Sequence, residues 1–229
     1  MTTAHADVRA EVAISAVDRG GDTIVLPGCL TLPASALGIV LFAHGSGSSR
    51  SSPRNTFVAG VLHEAWIGTL LFDLLTPQEA TDRANVFDIR LLADRLLAAV
   101  RFVASREQTG RLPLGLFGAS TGAAAALVAA AEEPRVSVVV SRGGRPDLAG
   151  PALDRVHAPT LLIVGGDDAE VLRLNRQALG RLPCEKRLAV VPAATHLFDE
   201  PGTLAEAARL AAEWCARHFQ PTTRGGEPS

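Results

Sequence analysis

Short apolar runs of strand length alternate along the chain with longer stretches of helical periodicity. Residues 11–16 and 23–32 read as two strands joined by a turn at Arg19-Gly20-Gly21-Asp22. From residue 38 the alternation becomes regular. An apolar strand at 38–43 is followed by a helix from Pro53 to about Ala65, with Ser52 as N-cap and Pro53 in the first helical position. A strand at 67–73 leads through a polar loop, Thr76 to Ala84, into a helix near 87–104 that repeats Leu91, Leu92, Leu96, Leu97 and Val100 on one face. A strand at 113–117 runs into an alanine-rich helix at 121–132. Strands at 136–140, 160–164 and 187–191 end in "SRGGRPDLAG", "GGDDAE" and "PAATHLFDEPG". A helix of about ten residues follows the second of these, and a helix at 202–219 follows the third. The pattern predicts one α/β domain over residues 1–220, with a mostly parallel sheet of about eight strands covered by helices on both faces. The polar segment 221–229 is expected to be a disordered tail. Fewer than twenty residues connect the strands at 136–140 and 160–164, too few for a lid domain.

Composition narrows the class. Nearly half of the 229 residues are hydrophobic, enough for a large core, and a net charge of −2 argues against a general nucleic-acid or membrane-surface binder. The longest strictly apolar run, Ala123 to Ala131, is too short to span a bilayer. The first residues carry neither a basic patch nor an apolar core, so no signal peptide is expected. Cys29, Cys184 and Cys215 are odd in number and far apart, which fits reduced thiols and a cytoplasmic location.

In sheets of this kind ligands bind at the carboxyl ends of the strands, so the strand exits carry the functional argument. One exit, "GIVLFAHGSGSSR", poses a choice between a dinucleotide cradle and part of an acyl-transfer site. Gly45 to Arg50 falls one residue short of G-x-G-x-x-G, and Asp73 closes the next strand near where a ribose-binding acid would sit. Arg50, however, stands where a third glycine would permit close helix–strand packing. A second exit favours the acyl-transfer site and leaves nucleotide binding at the glycine loop as a rival. Gly118-Ala119-Ser120-Thr121-Gly122 is G-x-S-x-G between a strand and a helix, the context of a nucleophile elbow. So sharp a turn requires small flanking residues, and it lifts a serine hydroxyl clear of the sheet at a helix N-terminus. A serine needs a base and an orienting acid, which in this arrangement follow it in the order acid, then histidine. Asp167 and Asp168 lie at the later exit "GGDDAE", and His196 lies at the last. Asp147, after the preceding strand, is an alternative acid. The opening loop then supplies the second oxyanion donor, with Ser46 N–H and Thr121 N–H as the pair and His44 as an anchor for the loop.

These segments resemble the α/β-hydrolase superfamily and, within it, the dienelactone hydrolase-like family. The resemblance covers about residues 11–220 and rests on "LFAHGSGSSRSSPRN", "LFDLL", "GLFGASTGAAAALVAAAE", "VVSRGGRPDLA", "LLIVGGDDAEV" and "THLFDEPG". It implies the α/β-hydrolase fold and selects Asp168, because "GGDDAEV" matches the G-x-x-D-x-x-V spacing of the family. The founding members carry cysteine at the elbow, whereas this chain has Ser120, and none of its cysteines matches that position. The expected activity is therefore hydrolysis of a small soluble ester or lactone by Ser120, His196 and Asp168 through an acyl-enzyme, with no metal or organic cofactor. Arg54 and Arg142 are candidate binders of an anionic substrate group, set against the alternative of ordinary pairing with Asp73, Asp147 or Asp88. A non-catalytic ligand-binding module on the same fold is the competing function.

Overall fold

A computed structural model describes residues 7–219. The tail expected at 221–229 lies outside the described residues. Eight strands form one sheet in the order β1-β2-β4-β3-β5-β6-β7-β8. They are β1 (Val8–Val17), β2 (Thr23–Leu32), β3 (Gly38–Ala43), β4 (Ile67–Phe72), β5 (Leu114–Ala119), β6 (Val136–Arg142), β7 (Thr160–Gly165) and β8 (Lys186–Val191). β1 and β2 form an antiparallel hairpin, β2 runs antiparallel to β4, and every pairing from β4 to β8 is parallel. The expected sheet is thus present.

Among the described residues the α-helices are α1 (Pro53–Glu64), α2 (Arg83–Val86), α3 (Ile89–Ala104), α4 (Thr121–Glu132), α5 (Ala169–Arg181) and α6 (Thr203–Phe219). Val58 and Leu62 of α1 pack with Ala208, Ala211 and Trp214 of α6 on one face of the sheet. Leu92, Leu96 and Val100 of α3 pack with the alanines of α4 on the other. The central strands β3, β4, β5 and β7 are buried along their whole length, which is why they read as continuous apolar runs. Helix starts follow their caps. Ser52 accepts from Asn55 N–H, Asp88 from Leu91 N–H and Asp168 from Val171 N–H.

Two segments depart from the sequence reading. The loop expected at 76–84 winds into a 3-10 turn, Glu79–Thr81, and the one-turn α2. The exit "RPDLAG" continues as 3-10 turns over Pro146–Arg155, broken at Gly150, whose φ is 53°. Both are too short for helical periodicity to register.

Candidate active site

Ser120 sits between β5 and α4 with φ 52° and ψ −122°, a left-handed conformation unusual for a residue with a Cβ. Its flanking glycines show why the motif reads as it does. A Cβ on Gly118 would lie 2.3 Å from Ala123 Cα, and one on Gly122 would lie 2.1 Å from the Ala43 carbonyl oxygen. The turn closes only with hydrogen at both positions. Strain of this kind costs about 1–3 kcal/mol and persists only where surrounding structure enforces it. Here backbone bonds hold it: Ser120 N–H donates to the Arg142 carbonyl at 3.4 Å, and the Ser120 carbonyl accepts from Arg145 N–H at 3.1 Å.

Asp168 and His196 come from the exits of β7 and β8. His196 Nδ1 lies 2.7 Å from Asp168 Oδ2. The Asp168 side chain is 14% exposed and the His196 ring 40%, so the acid is sheltered and the imidazole opens to the surface. Asp167 is exposed, and Asp147 is engaged by Arg145 at 2.7 Å. Of the three carboxylates weighed from sequence, the structure brings Asp168 to the histidine. The His196 loop is braced from below. Glu200 accepts from Thr195 N–H at 3.0 Å and from Thr195 Oγ1 at 2.6 Å, and the hydroxyl bond comes first among the causes that lower the Glu200 pKa. Phe198, buried at φ 59°, anchors the other end of the loop.

The loop after β3 closes over Ser120 from the opposite side. A Cβ on Gly45 would sit 2.9 Å from Ser120 Cβ. Ser46 and Thr121 flank the serine, and no hydrogen bond among the described residues uses either backbone N–H. His44 anchors the loop as expected. Its Nε2 accepts from Leu74 N–H at 3.1 Å, so the proton rests on Nδ1, which donates to the Gly45 carbonyl at 3.0 Å. Burial lowers the His44 pKa and keeps the ring in this neutral form. Arg50 forms an ion pair with Asp73, and its N–H donates to Asp73 Oδ1 at 2.7 Å. The acid that a dinucleotide ribose would need is therefore already occupied.

Ser120, Ser46 and His196 line a cavity of about 200 Å³ together with Arg54, Asn55 and Arg142. The two candidate arginines meet here and differ. Arg54 pairs with Asp199 at 3.2 Å across an exposed rim, a partner the sequence did not suggest. Arg142 is 7% exposed and, among the described residues, has no carboxylate partner. Its Nη2 reaches Asn55 Oδ1 at 3.5 Å, its Nη1 is buried without a hydrogen bond, and its guanidinium lies 5.8 Å from the Phe198 ring centre. Burial, with repulsion from Arg54, pushes its pKa down to about 10, still cationic at neutral pH. Asn55 is 2% exposed and was missed from sequence. Its signal was present: Asn55, Val58, Ala59 and Leu62 share the buried face of α1 at i, i+3, i+4 and i+7, and Asn55 is the polar one. Among the described residues no three or more His, Cys, Asp or Glu side chains gather as a metal site. No described helix is long and apolar enough to cross a membrane.

A strand–serine–helix elbow, with an acid and a histidine on later strand exits of a mostly parallel sheet, defines the α/β-hydrolase class. Comparison with known proteins gives the family. The chain is 53% identical to a dienelactone hydrolase of Anabaena variabilis of known crystal structure, covering 93% of this chain and 99% of that one with a TM-score of 0.86. It belongs to the dienelactone hydrolase-like family of α/β-hydrolases. Est1E of Butyrivibrio proteoclasticus shares the fold, with a TM-score of 0.74 and 15% identity over 90% of this chain and 98% of its own. Two Mycobacterium tuberculosis proteins provisionally named phosphoribosyl transferases are 60% identical over 198 residues. That match covers 86% of this chain and 44% of theirs, so the chain spans less than half the length of these curated relatives. No family profile matches the chain.

Proposed function

We propose that this protein is a serine esterase or lactonase that acts through an acyl-enzyme. Ser120 attacks the carbonyl carbon, and His196 Nε2 takes the hydroxyl proton and returns it to the departing alkoxide. Asp168, hydrogen-bonded to Nδ1, fixes the tautomer and supports the imidazolium. The N–H groups of Ser46 and Thr121 hold the oxyanion, and water then frees the acid. Family membership supports hydrolysis of an ester or lactone. The observation that carries the choice of serine is the strained Ser120 in one cavity with His196, whose Nδ1 lies 2.7 Å from Asp168. A binding module has no need of either feature.

Arg142 supports an anionic substrate. A buried guanidinium with an idle Nη1 in the same cavity as Ser120 is poised to take a carboxylate or similar group. Arg54, committed to Asp199, adds positive potential at the rim. Three free cysteines support a cytoplasmic location. The transferase name of the longer mycobacterial relatives is not carried over, since it is the name of proteins more than twice as long as the matched part. Stopped-flow hydrolysis of a p-nitrophenyl ester tests the proposal. An initial burst of one nitrophenolate per chain, abolished in Ser120→Ala, is the expected result. Turnover by Ser120→Ala at the wild-type rate would refute it.

A further inference from the structure

A second cavity, about 420 Å³, lies against the other side of the loop after β3. It shares Gly45, Ser46 and Ser48 with the smaller cavity at Ser120, and it includes Thr121. The two cavities therefore share the oxyanion loop as a common wall, with Ser46 facing both and Thr121 facing the larger. Their walls differ. The larger cavity is lined by Leu75, Leu92, Pro77, Ala80 and Val86, and its ionisable groups are already engaged. Arg50 and Asp73 satisfy each other, and His44 is neutral with both ring nitrogens bonded. Thr121 Oγ1, by contrast, is buried without a hydrogen-bond partner among the described residues, beside the unused N–H groups of Ser46 and Thr121.

The outer wall is held in place. Residues 76–86 contribute no buried side chain in their helical turns, yet they are pinned. Thr76 and Glu79 cap each other, with Thr76 N–H to Glu79 Oε2 at 2.9 Å and Glu79 N–H to Thr76 Oγ1 at 3.2 Å. Arg95, 1% exposed on α3, forms an ion pair with Glu79 and donates to the Val17 carbonyl at 2.6 Å. The cavity is thus preformed, within the usual size range of ligand pockets and with their usual apolar lining.

From this geometry we infer that the larger cavity receives the acyl part of the substrate and selects a hydrocarbon chain or ring. The inference rests on the hydrolase reading above. Four groups surround the tetrahedral carbon. One is Ser120 Oγ, and one is the oxyanion between Ser46 and Thr121. The leaving oxygen must lie within reach of His196, which lines only the smaller cavity of the two. The remaining substituent is the acyl group, and the cavity lined by Ser46 and Thr121 but not by His196 is the large apolar one. The substrate class that follows has an apolar acyl part and a leaving alcohol, or the alcohol end of a lactone, on the side of Arg142.

Two ester series measured below their aggregation concentrations test this. In p-nitrophenyl acyl esters from acetate to octanoate, kcat/KM should rise about fourfold per methylene until the cavity is filled. In acetate esters of alcohols of growing length it should stay flat. Val86→Trp and, at an exposed position on the cavity rim, Ala80→Trp should each lower the octanoate-to-acetate ratio at least about tenfold. Retained fluorophosphonate labelling shows that the variants are folded. A flat acyl series, a rise with alcohol length instead, or an unchanged ratio in both variants overturns the assignment while leaving the hydrolase reading intact. Failure to hydrolyse any ester, acetate included, with no labelling overturns the hydrolase reading and this one with it.

Discussion

Replacing Arg142 by methionine should make the protein more stable and less selective. The wild-type guanidinium is almost fully buried without a carboxylate partner, and its pKa falls from the ordinary guanidinium value to about 10. That fall corresponds to about 3 kcal/mol by which the folded state disfavours the charged form. The sign is fixed by the direction. The folded pKa is depressed, so the penalty is complete below about pH 10 and a neutral-pH measurement reads all of it. Methionine fills much of the same volume and carries no charge. It forfeits a long contact to Asn55 and the contact with the Phe198 ring, together worth about 1–2 kcal/mol. The net expectation is a gain of about 1–2 kcal/mol, a rise of about 2–8 °C in Tm for a domain of this size. The assay pairs thermal unfolding with kcat/KM for a neutral ester and its carboxylate-bearing analogue. Arg142→Met should melt higher and lose the preference for the anionic ester, while its activity on the neutral ester changes less. A variant that melts lower by more than 1 kcal/mol (~) and keeps the preference would refute the reasoning, since Arg142 would then be a structural residue.

Other expectations follow from the same geometry. Asp168→Asn should lower kcat by several orders of magnitude, while Asp167→Asn and Asp147→Asn stay within about tenfold of wild type, compared by steady-state ester hydrolysis. Gly122→Ala drives a methyl into the Ala43 carbonyl, and a urea melt should show a loss of at least about 3 kcal/mol or no soluble protein. Burial lowers the pKa of His44, His63 and His218, so the unfolded chain binds more protons than the folded one. Stability should therefore be greatest above the unfolded histidine pKa of about 6.5 and fall as pH drops below it, as thermal melts at pH 7.5, 6 and 5 would show. A Tm independent of pH across that range would contradict the burial argument.

The parts of the molecule legible in the sequence are those fixed by local sterics and periodicity. The elbow could be read because only small residues fit beside Ser120, and the contacts a Cβ would make at Gly118 and Gly122 show the reason. The parallel strands could be read because burial on both faces leaves them uniformly apolar. Segment 76–86 could not. Its turns depend on Arg95, which is distant in sequence, and a lone arginine within the apolar face of a helix gives no hint of its partner Glu79. The state of the arginines was equally hidden. Arg54 and Arg142 look alike as charged residues near strand exits, and only packing separates a rim ion pair with Asp199 from a buried guanidinium with an idle nitrogen. Asp168 and Asp167 are neighbours whose difference lies in direction, one toward His196 and one toward solvent.

The most direct test of the central claim is the site of covalent modification by a fluorophosphonate. The native protein, treated with a small excess of probe and digested, should carry one phosphonyl group, on the peptide containing Ser120. Ser120→Ala should remain unlabelled, and labelling of His196→Ala should slow by several orders of magnitude. Modification at any other residue, or equal labelling of Ser120→Ala, would contradict the account.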